Sequence, residues 1–246
     1  MSALLSAVEL TKDFGETVAL RNVSVDVEEG TTGLLGANGA GKSTLMTIFL
    51  GLLRPTSGKI TVLGEDGDKS TQAHRLIGYS PEYECLPPNV SAAEFVTHMA
   101  RVSGLPRTEA RTRATDVLRH VGLDEERYRP MGTFSTGMKQ RAKLAQAIVH
   151  DPQLVLLDEP TAGLDPAGRQ EMLELIARTG HEFGISMLIS SHLMGDIERT
   201  CDRIIVLEAG ELLEQGEVSR YTTDTETLVL EFDEGAEAVA TALAGK

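Results

Sequence analysis

One stretch of the chain has the residue types and spacing of a phosphate-binding loop. Glycines there leave backbone N–H groups free to surround phosphate oxygens, and the helix that follows begins with positive potential. In this pattern the lysine contacts the β- and γ-phosphates of a nucleotide, and the next hydroxyl binds Mg²⁺. The residues assigned to the nucleotide are Gly36, Asn38, Gly39, Gly41, Lys42, Ser43 and Thr44, and Ser43 is also assigned to the metal.

Two adjacent carboxyl groups follow a short apolar run later in the chain. The run is 154–157, and it ends in Asp158 and Glu159. Beside bound phosphates, Asp158 would hold Mg²⁺ directly or through water, and Glu159 would act as general base on an attacking water. An acidic pair at a strand end is otherwise often only solvated, so its assignment depends on the phosphate-binding loop.

Three weaker signals accompany these two. Ser135 and Gly137 have the composition of a capped helix start, a second place where a helix N-terminus faces an anion. Taken alone, they indicate an ordinary capped helix. His192 follows two serines, where a neutral imidazole would reach a terminal phosphate, although a lone histidine is more often a surface or capping residue. Asp165 closes a Gly-Leu-Asp turn and by itself would be a helix cap.

The elements that must position these residues alternate between strand and helix. Apolar alternation near the start predicts a small antiparallel layer, and later continuous apolar runs are typical of strands covered on both faces. The expected fold is α/β: a P-loop NTPase core with a parallel sheet, an N-terminal antiparallel β layer and an inserted helical subdomain. Strands are predicted at 3–10, 22–28, 32–35, 154–157, 185–189 and 203–207, and helices at 44–53, 168–178 and 192–200.

The middle of the chain is predicted to be helical. Ser91 and Glu94 form a capping-box pattern ahead of a helix that runs to about Ser103. A second helix begins near Pro106, carries its apolar residues on one face and ends at Gly122. The domain boundaries predicted are 1–216, with a helical subdomain at about 83–150, and 217–246 for a short acidic C-terminal appendage of one strand and one helix.

Charge is distributed unevenly along the chain. Asp and Glu number 37 against 23 Lys and Arg, which gives a net charge of -14. Ten acidic and two basic residues lie from Glu208 onward, so the first 207 residues carry 27 acids and 21 bases, a net of only -6. Nucleic-acid binders need clustered basic charge to contact phosphates, so composition argues against that class of partner.

Cysteine usage and hydropathy limit the cellular compartment and the mode of membrane association that the sequence predicts. Cys85 and Cys201 are too few and too far apart for a disulfide framework or a zinc site, and they indicate reduced thiols in a cytosolic protein. Residues 1–10 lack the basic start and apolar run of a signal peptide. No window reaches the ~20 apolar residues that a membrane helix requires. Any work at a membrane is therefore expected to go through a partner.

Five motifs in sequence order resemble the nucleotide-binding subunit of ABC transporters, over Ala3 to about Glu217. They are the phosphate-binding loop, the stretch S-T-G-M, the strand ending D-E-P, the G-L-D turn and S-H. The resemblance implies hydrolysis of ATP with Mg²⁺, with Glu159 and His192 as catalytic residues. It also implies that two subunits, here most simply a homodimer, enclose two ATP molecules head to tail.

Further roles follow from the resemblance alone. Phe14 would stack on adenine, and Glu82 stands where the family usually has a glutamine that senses Mg²⁺ and couples to the permease. Ser135 and Gly137 would contact the γ-phosphate held by the partner subunit. Asp165 would cross the dimer interface, and His192 would be the γ-phosphate switch.

The signature departs from the usual family pattern. Thr136 replaces the usual first glycine, Phe134 the usual leucine and Met138 the usual glutamine. The form F-S-T-G-M-K-Q-R is similar to ATPases paired with export permeases for drugs, antibiotics or polysaccharides, and Glu82 in place of glutamine also occurs there. The resemblance thus implies an exporter subunit, peripheral to the cytoplasmic face of the membrane through its permease. An importer subunit is the alternative within the family.

The permease is expected to bind in a groove near Glu82, Tyr83 and the helical subdomain, with Leu86 and Pro87 as further contacts. Two other classes compete with this interpretation. A non-transport ABC ATPase of DNA repair or translation would carry long coiled coils or two cassettes, and neither pattern occurs here. A GTP-binding switch protein would lack the signature and the Ser-His pair.

Overall fold

A computed structural model describes residues 3–67 and 71–221. The strand and helix predicted within the appendage 217–246, at 227–232 and 236–243, lie outside these residues. The strands are β1 (Leu5–Asp13), β2 (Val18–Val27), β3 (Thr31–Leu35), β4 (Ser57–Val62), β5 (Glu65–Asp66), β6 (Ile77–Ser80), β7 (Leu154–Leu157), β8 (Ser186–Ser191), β9 (Arg203–Glu208) and β10 (Glu211–Glu217). The α-helices are α1 (Lys42–Phe49), α2 (Thr71–His74), α3 (Ala92–Val102), α4 (Arg107–His120), α5 (Thr136–Ile148), α6 (Pro166–Phe183) and α7 (Met194–Thr200). Short 3₁₀ turns lie at Glu126–Tyr128, Met131–Thr133 and Val218–Arg220.

The larger of two sheets has its strands in the order β10-β9-β3-β8-β7-β6. Neighbours from β9 to β6 are parallel, and β10 pairs with β9 in the antiparallel sense. The last residue of β3 pairs with Ser191, and the last residue of β6 pairs with Leu157. The carboxyl ends of β3, β8, β7 and β6 therefore lie side by side along one edge, the place where open parallel sheets bind ligands.

A smaller antiparallel sheet, in the order β2-β1-β4-β5, forms the predicted N-terminal layer. Its apolar side chains, those of α1 and one face of the larger sheet make one core. The other face of the larger sheet packs with α3 to α7 in a second core. Leu154 and Leu156 of β7 enter the first core while Val155 and Leu157 enter the second. Burial on both faces explains why β7 has a continuous apolar sequence.

Helix bounds differ from the predicted ones for local reasons. Helix α1 ends at Phe49 rather than residue 53, because Gly51 adopts a left-handed conformation with φ 67°. Helix α6 continues to Phe183 rather than 178 and ends where Gly184 adopts φ 64°. Helix α7 begins at Met194, so His192 lies between β8 and the helix rather than within it. The capping box of Ser91 and Glu94 at α3 is confirmed in both directions.

Within the described residues, no helix combines the length and the apolar character needed to cross a membrane.

Candidate functional site

Four chain segments meet at the carboxyl edge of the larger sheet. The loop 36–41 follows β3, His192 follows β8, Asp158 and Glu159 follow β7, and Glu82 comes two residues after β6. Because β3, β8, β7 and β6 are successive neighbours in the sheet, the segments stand in that spatial order. The fold thus brings together residues that are up to 156 positions apart in the chain, from Gly36 to His192.

The loop 36–41 passes too close to other backbone to carry side chains at Gly36 and Gly41. A Cβ on Gly36 would lie 2.5 Å from the Leu207 carbonyl oxygen, and one on Gly41 would lie 2.6 Å from that of Ala19. Gly41 also has φ 100°, a conformation that other residues rarely adopt. The predicted ligands Asn38, Gly39 and Ser43 are exposed, with Thr44 half-buried at the start of α1.

Lys42, Glu159 and His192 form one ion-paired cluster. The Lys42 Nζ atom donates to the carbonyl oxygen of Gly36 at 2.7 Å and lies 3.2 Å from Oε1 of Glu159. The other carboxyl oxygen of Glu159 is 2.9 Å from Nδ1 of His192. Lys42 and Glu159 are buried, whereas the His192 side chain is 44% exposed. The predicted general base therefore contacts both the predicted phosphate-binding lysine and the predicted switch histidine.

Ser190 positions both acidic residues, and the sequence patterns did not identify it. Its hydroxyl donates to Oδ1 of Asp158 at 2.6 Å and accepts from the backbone N–H of Glu159 at 2.8 Å. Glu159 has φ 46°, a left-handed conformation that costs a non-glycine residue roughly 1–3 kcal/mol. Ser190 is fully buried and helps to hold this conformation. Side chains alternate between the two faces of a strand, so Ser190 lies on the same face as His192. This alternation is the sequence signal that could have identified Ser190.

The oxygen donors at this edge suit a hard cation. Ser43 is exposed, and one carboxyl oxygen of Asp158 accepts from Ser190, while the other has no hydrogen-bond partner among residues 3–67 and 71–221. Oε1 of Glu159 is buried and likewise has no hydrogen-bond partner in the described part of the chain, although it lies within ion-pair distance of Lys42. Hydroxyl and carboxylate oxygens are the ligands that Mg²⁺ takes together with substrate phosphates. Ser43 and Asp158 therefore fit Mg²⁺, with the exposed Glu82 at the far end of the row.

A second buried cation, Lys143 of α5, lies under the Glu82 segment. Its Nζ atom donates to the Glu82 carbonyl oxygen at 3.1 Å. Burial lowers the pKa of Lys143, against the opposing effect of nearby groups that include Cys85 and Asp158. Burial, followed by the charge of Asp158, raises the pKa of Tyr79 to about 12. Lys143 was also missed, because a single lysine within an apolar helical pattern gives no signal of burial.

The start of α5 forms a separate region. The hydroxyl of Ser135 accepts from the Met138 N–H at 3.2 Å, which confirms the predicted cap. Gly137 lies against the side chain of Leu164, and Thr136 lies close to Gly163. Within residues 3–67 and 71–221, no hydrogen bond or ion pair joins Ser135 or Gly137 to Lys42, Glu159 or His192.

The remaining predicted site residues lie at the periphery. Asp165 caps α6 by accepting from the Gly168 N–H at 2.7 Å, and it is exposed. Phe14 is 56% exposed in the turn between β1 and β2, with Nζ of Lys12 4.8 Å from its ring centroid. Tyr83 is 79% exposed, as a partner contact requires. Leu86 is buried in the second core, so its prediction as a permease contact is wrong.

Comparison with known proteins gives a consistent result. The profile of the family described as ABC transporter matches residues 20–162. The ABC transporter ATP-binding protein YxlF of Bacillus subtilis, which is uncharacterized, is 38% identical over 92% of this chain and 75% of its own length. The bacitracin transport ATP-binding protein BcrA of Bacillus licheniformis is 39% identical over 87% of this chain and 70% of its own. The Nod factor export ATP-binding protein I of Rhizobium sp. is 38% identical over 83% of this chain and 68% of its own length.

Solved structures agree with the sequence relatives. CbiO1 of Clostridium perfringens, part of the ABC transporter complex CbiONQ, superposes with a TM-score of 0.81 at 30% identity, over 90% of this chain and 91% of its own. A dimeric ATP-binding cassette in a post-hydrolysis state, bound to ADP and phosphate, superposes with a TM-score of 0.77 at 25% identity. The superposition covers 87% of this chain and 98% of that one.

Proposed function

The chain belongs to the ABC transporter family as an ATP-binding, ATP-hydrolysing subunit, and from that premise we propose that it powers an exporter. It works as a head-to-tail dimer held by a permease at the cytoplasmic face of a membrane. The observation that carries the catalytic part is the cluster of Lys42, Glu159 and His192 at the carboxyl edge of the sheet. It supports these roles because Glu159, the proposed general base, contacts both the lysine proposed to bind phosphate and the proposed switch histidine.

Binding of ATP would rearrange this cluster. The triphosphate takes Lys42 away from the Gly36 carbonyl oxygen and from Glu159, because a lysine ammonium binds phosphate oxygens strongly. Glu159 is then free to accept a proton from the attacking water. His192, more exposed than the other two, donates to the terminal phosphate. The exposed ring of Phe14 stacks on adenine.

Ser43 and Asp158 hold Mg²⁺ in this proposal, and Glu82 completes the set of oxygen donors. When bound, the ion neutralises charge on the β- and γ-phosphates. Ser190 leaves one oxygen of Asp158 for this task by donating to the other. Lys143 fixes the backbone from which Glu82 projects.

The second half of each ATP site comes from the partner subunit. The exposed start of α5, with Ser135 and Gly137, faces the γ-phosphate held by the partner. Asp165 stands beside it, because Thr136 and Gly137 lie against the turn 163–164 that precedes Asp165. A dimer would supply this half of the site, since within the described residues no hydrogen bond or ion pair joins Ser135 or Gly137 to the Lys42 cluster.

We propose that the permease inserts into a groove of about 610 Å³ between β6, α3 and α5. This surface lies where the helical subdomain at about 83–150 meets the segment 74–81 of a nucleotide-binding domain that spans 1–216. Val102 on its wall is 68% exposed, and Tyr83, between the lining residues Pro81 and Cys85, is 79% exposed. The groove is lined by His74, Arg75, Ile77, Tyr79, Pro81, Cys85, Phe95, Met99, Val102, Ser103, Gln146, Ala147 and His150.

Export is favoured over import by the relatives and by the signature. BcrA is named for bacitracin transport and another relative for Nod factor export. The form F-S-T-G-M-K-Q-R is of the kind found with export permeases. Isolation of the intact complex from membranes tests the direction. A permease with no substrate-binding protein supports export, and a stoichiometric extracytoplasmic binding protein contradicts it.

A Val102→Glu substitution tests the groove. It places a charge on the proposed contact, so the permease complex should be lost while ATPase activity of the isolated subunit is kept. Leu213→Glu is the matched control, because Leu213 is 64% exposed on β10 at the opposite edge of the sheet. If both variants assemble equally well with the permease, the groove is not the docking site.

A further inference from the structure

Asp196 is a buried acidic residue to which neither the fold nor the proposed chemistry assigns a role. It lies in α7 with only 5% of its surface exposed. Two hydroxyl groups donate to the same carboxyl oxygen, Thr161 at 2.8 Å and Ser191 at 3.3 Å. Both donors are themselves buried. Burying a carboxyl group is costly unless it is hydrogen-bonded, so this arrangement is specific rather than incidental.

The two hydroxyl groups belong to the two segments that carry site residues. Ser191 immediately precedes His192, and its hydroxyl also accepts from the Leu193 N–H at 3.1 Å. Thr161 begins the turn that leads from Glu159 to Asp165, and its carbonyl oxygen accepts from the Leu164 N–H. Asp196 thus joins the segment around the switch histidine to the turn that approaches the partner subunit.

Asp196 is itself held in place by the helix that carries it. The next residue, Ile197, is fully buried against β3, where a Cβ added to Gly33 would lie 2.5 Å from its side chain. Thr200 donates to the Asp196 carbonyl oxygen at 2.7 Å. The carboxyl group therefore projects from a fixed support, so a shift of either hydroxyl relative to it stretches a buried hydrogen bond.

The turn is also held from its other side. Nε2 of Gln140, a buried residue of α5, donates to the Ala162 carbonyl oxygen at 3.2 Å. The turn 161–165 is therefore fixed by α7 through Thr161 and by α5 through Ala162. Only the first of these links reaches the segment of His192.

We propose that Asp196 is a positioning residue that couples His192 to the turn carrying Asp165. A movement of the His192 segment on contact with the terminal phosphate passes through Ser191, Asp196 and Thr161 to the turn. This inference rests on the proposed function, since it assumes that His192 contacts phosphate and that Asp165 lies at the dimer interface. In this proposal Asp196 acts through these two segments, by the hydrogen bonds that it accepts from Ser191 and Thr161.

The test compares Asp196→Ala with Thr161→Val and with the double variant, in the purified dimeric ATPase. Each single variant should lower kcat about tenfold with KM for ATP changed less than about twofold, because the link acts after binding. The double variant should be no slower than either single one, since both remove the same link. Thr161→Ser keeps the hydroxyl and should restore kcat. Glu198→Ala, an exposed acidic residue of the same helix, is the control for charge and should behave as the parent.

Several outcomes overturn the proposal. It is wrong if Thr161→Val, which keeps the side-chain shape, has parental kcat, or if the losses of the two single variants multiply in the double variant. A loss of melting temperature with unchanged kcat would give Asp196 a purely structural role. Failure of the proposed function would show separately, as parental turnover in Glu159→Gln.

Discussion

The two helix N-termini proposed to bind phosphate, those of α1 and α5, differ in how much of their surroundings the chain itself supplies. The loop before α1 is enclosed by Lys42, Glu159 and His192, with Ser190 fixing the acidic pair beneath them. The start of α5 is exposed, and Ser135 satisfies one of its N–H groups. Its close neighbours 163–164 belong to a turn rather than to a catalytic group.

The difference assigns the proposed hydrolytic chemistry to the region around α1 and the completion of the partner subunit's ATP site to the start of α5. Around α1, the groups proposed to act on ATP are already paired with one another, so nucleotide must replace existing bonds. Around α5, a phosphate presented by the other subunit of the proposed dimer would meet the N-terminal backbone donors of the helix. We therefore expect the first region to control the reaction and the second to control whether two subunits stay together.

The largest expected effect lies in the first region. Glu159→Gln removes the general base and keeps the side-chain shape, so ATP should still bind while turnover falls about 10²–10⁴-fold. The variant should accumulate as an ATP-bound dimer on size-exclusion chromatography. Near-parental hydrolysis would remove Glu159 from the role of base.

A mixing experiment tests whether the two regions belong to different subunits. Lys42→Ala disables the first region, and Gly137→Asp places a negative charge in the second, so each variant alone should lose hydrolysis. Mixed together as dimers, they contain one intact composite site, and about a quarter of parental activity should return if subunits exchange freely. No recovery, despite demonstrated exchange of subunits, would show that both regions act within one chain.

Ser190→Ala tests whether the hydrogen bonds of Ser190 hold Asp158 and Glu159 in their active positions. Loss of the hydroxyl frees Asp158 and the Glu159 N–H, and a buried group left unpaired costs about 1–3 kcal/mol. We expect kcat to fall about tenfold, a higher Mg²⁺ concentration for half-maximal activity, and little change in ATP affinity. Parental Mg²⁺ dependence and kcat would leave Ser190 without a part in the site.

The smallest effect separates capping from ligand binding in the second region. Ser91→Ala and Ser135→Ala each remove a helix cap and should lower the free energy of unfolding by about 1 kcal/mol. Only Ser135→Ala should also reduce hydrolysis, because Ser91 lies at α3, away from the candidate site. Equal hydrolysis in the two variants would make Ser135 a cap and nothing more.

Much of the architecture could be predicted from local patterns. The loop 36–44, the run ending in Asp158 and the caps at Ser91, Ser135 and Asp165 are short-range features, and all have the expected local structure. Strands β4, β5, β6 and β10 were not predicted; β5 has only two residues, and the first half of β4 is exposed. Strand β6 has four residues including a glycine, and β10 is mostly exposed, so neither shows a clear period.

Contacts between residues far apart in the chain could not be predicted from the sequence. The contacts of Ser190 with Asp158 and of Lys143 with Glu82 depend on the order of strands and on how α5 packs against β6. Close approach of α5 is visible at Gly78, where a Cβ would lie 2.0 Å from the Ala147 carbonyl oxygen. Parallel sheets with the same strands in another order would separate these pairs without changing a local pattern.

Strand β6 stands last in the row of four strand ends, with β7 as its one neighbour in the sheet. A displacement there can be absorbed without shearing the strands between Lys42 and Asp158. The same strand is fastened to α5, because Gln146 donates to the Tyr79 carbonyl oxygen and Lys143 to that of Glu82. We therefore expect a displacement of Glu82 to reach the helix that begins at Thr136 through these two hydrogen bonds. We expect β6 and α5 to move together as one rigid unit, while β3, β8 and β7 keep their positions.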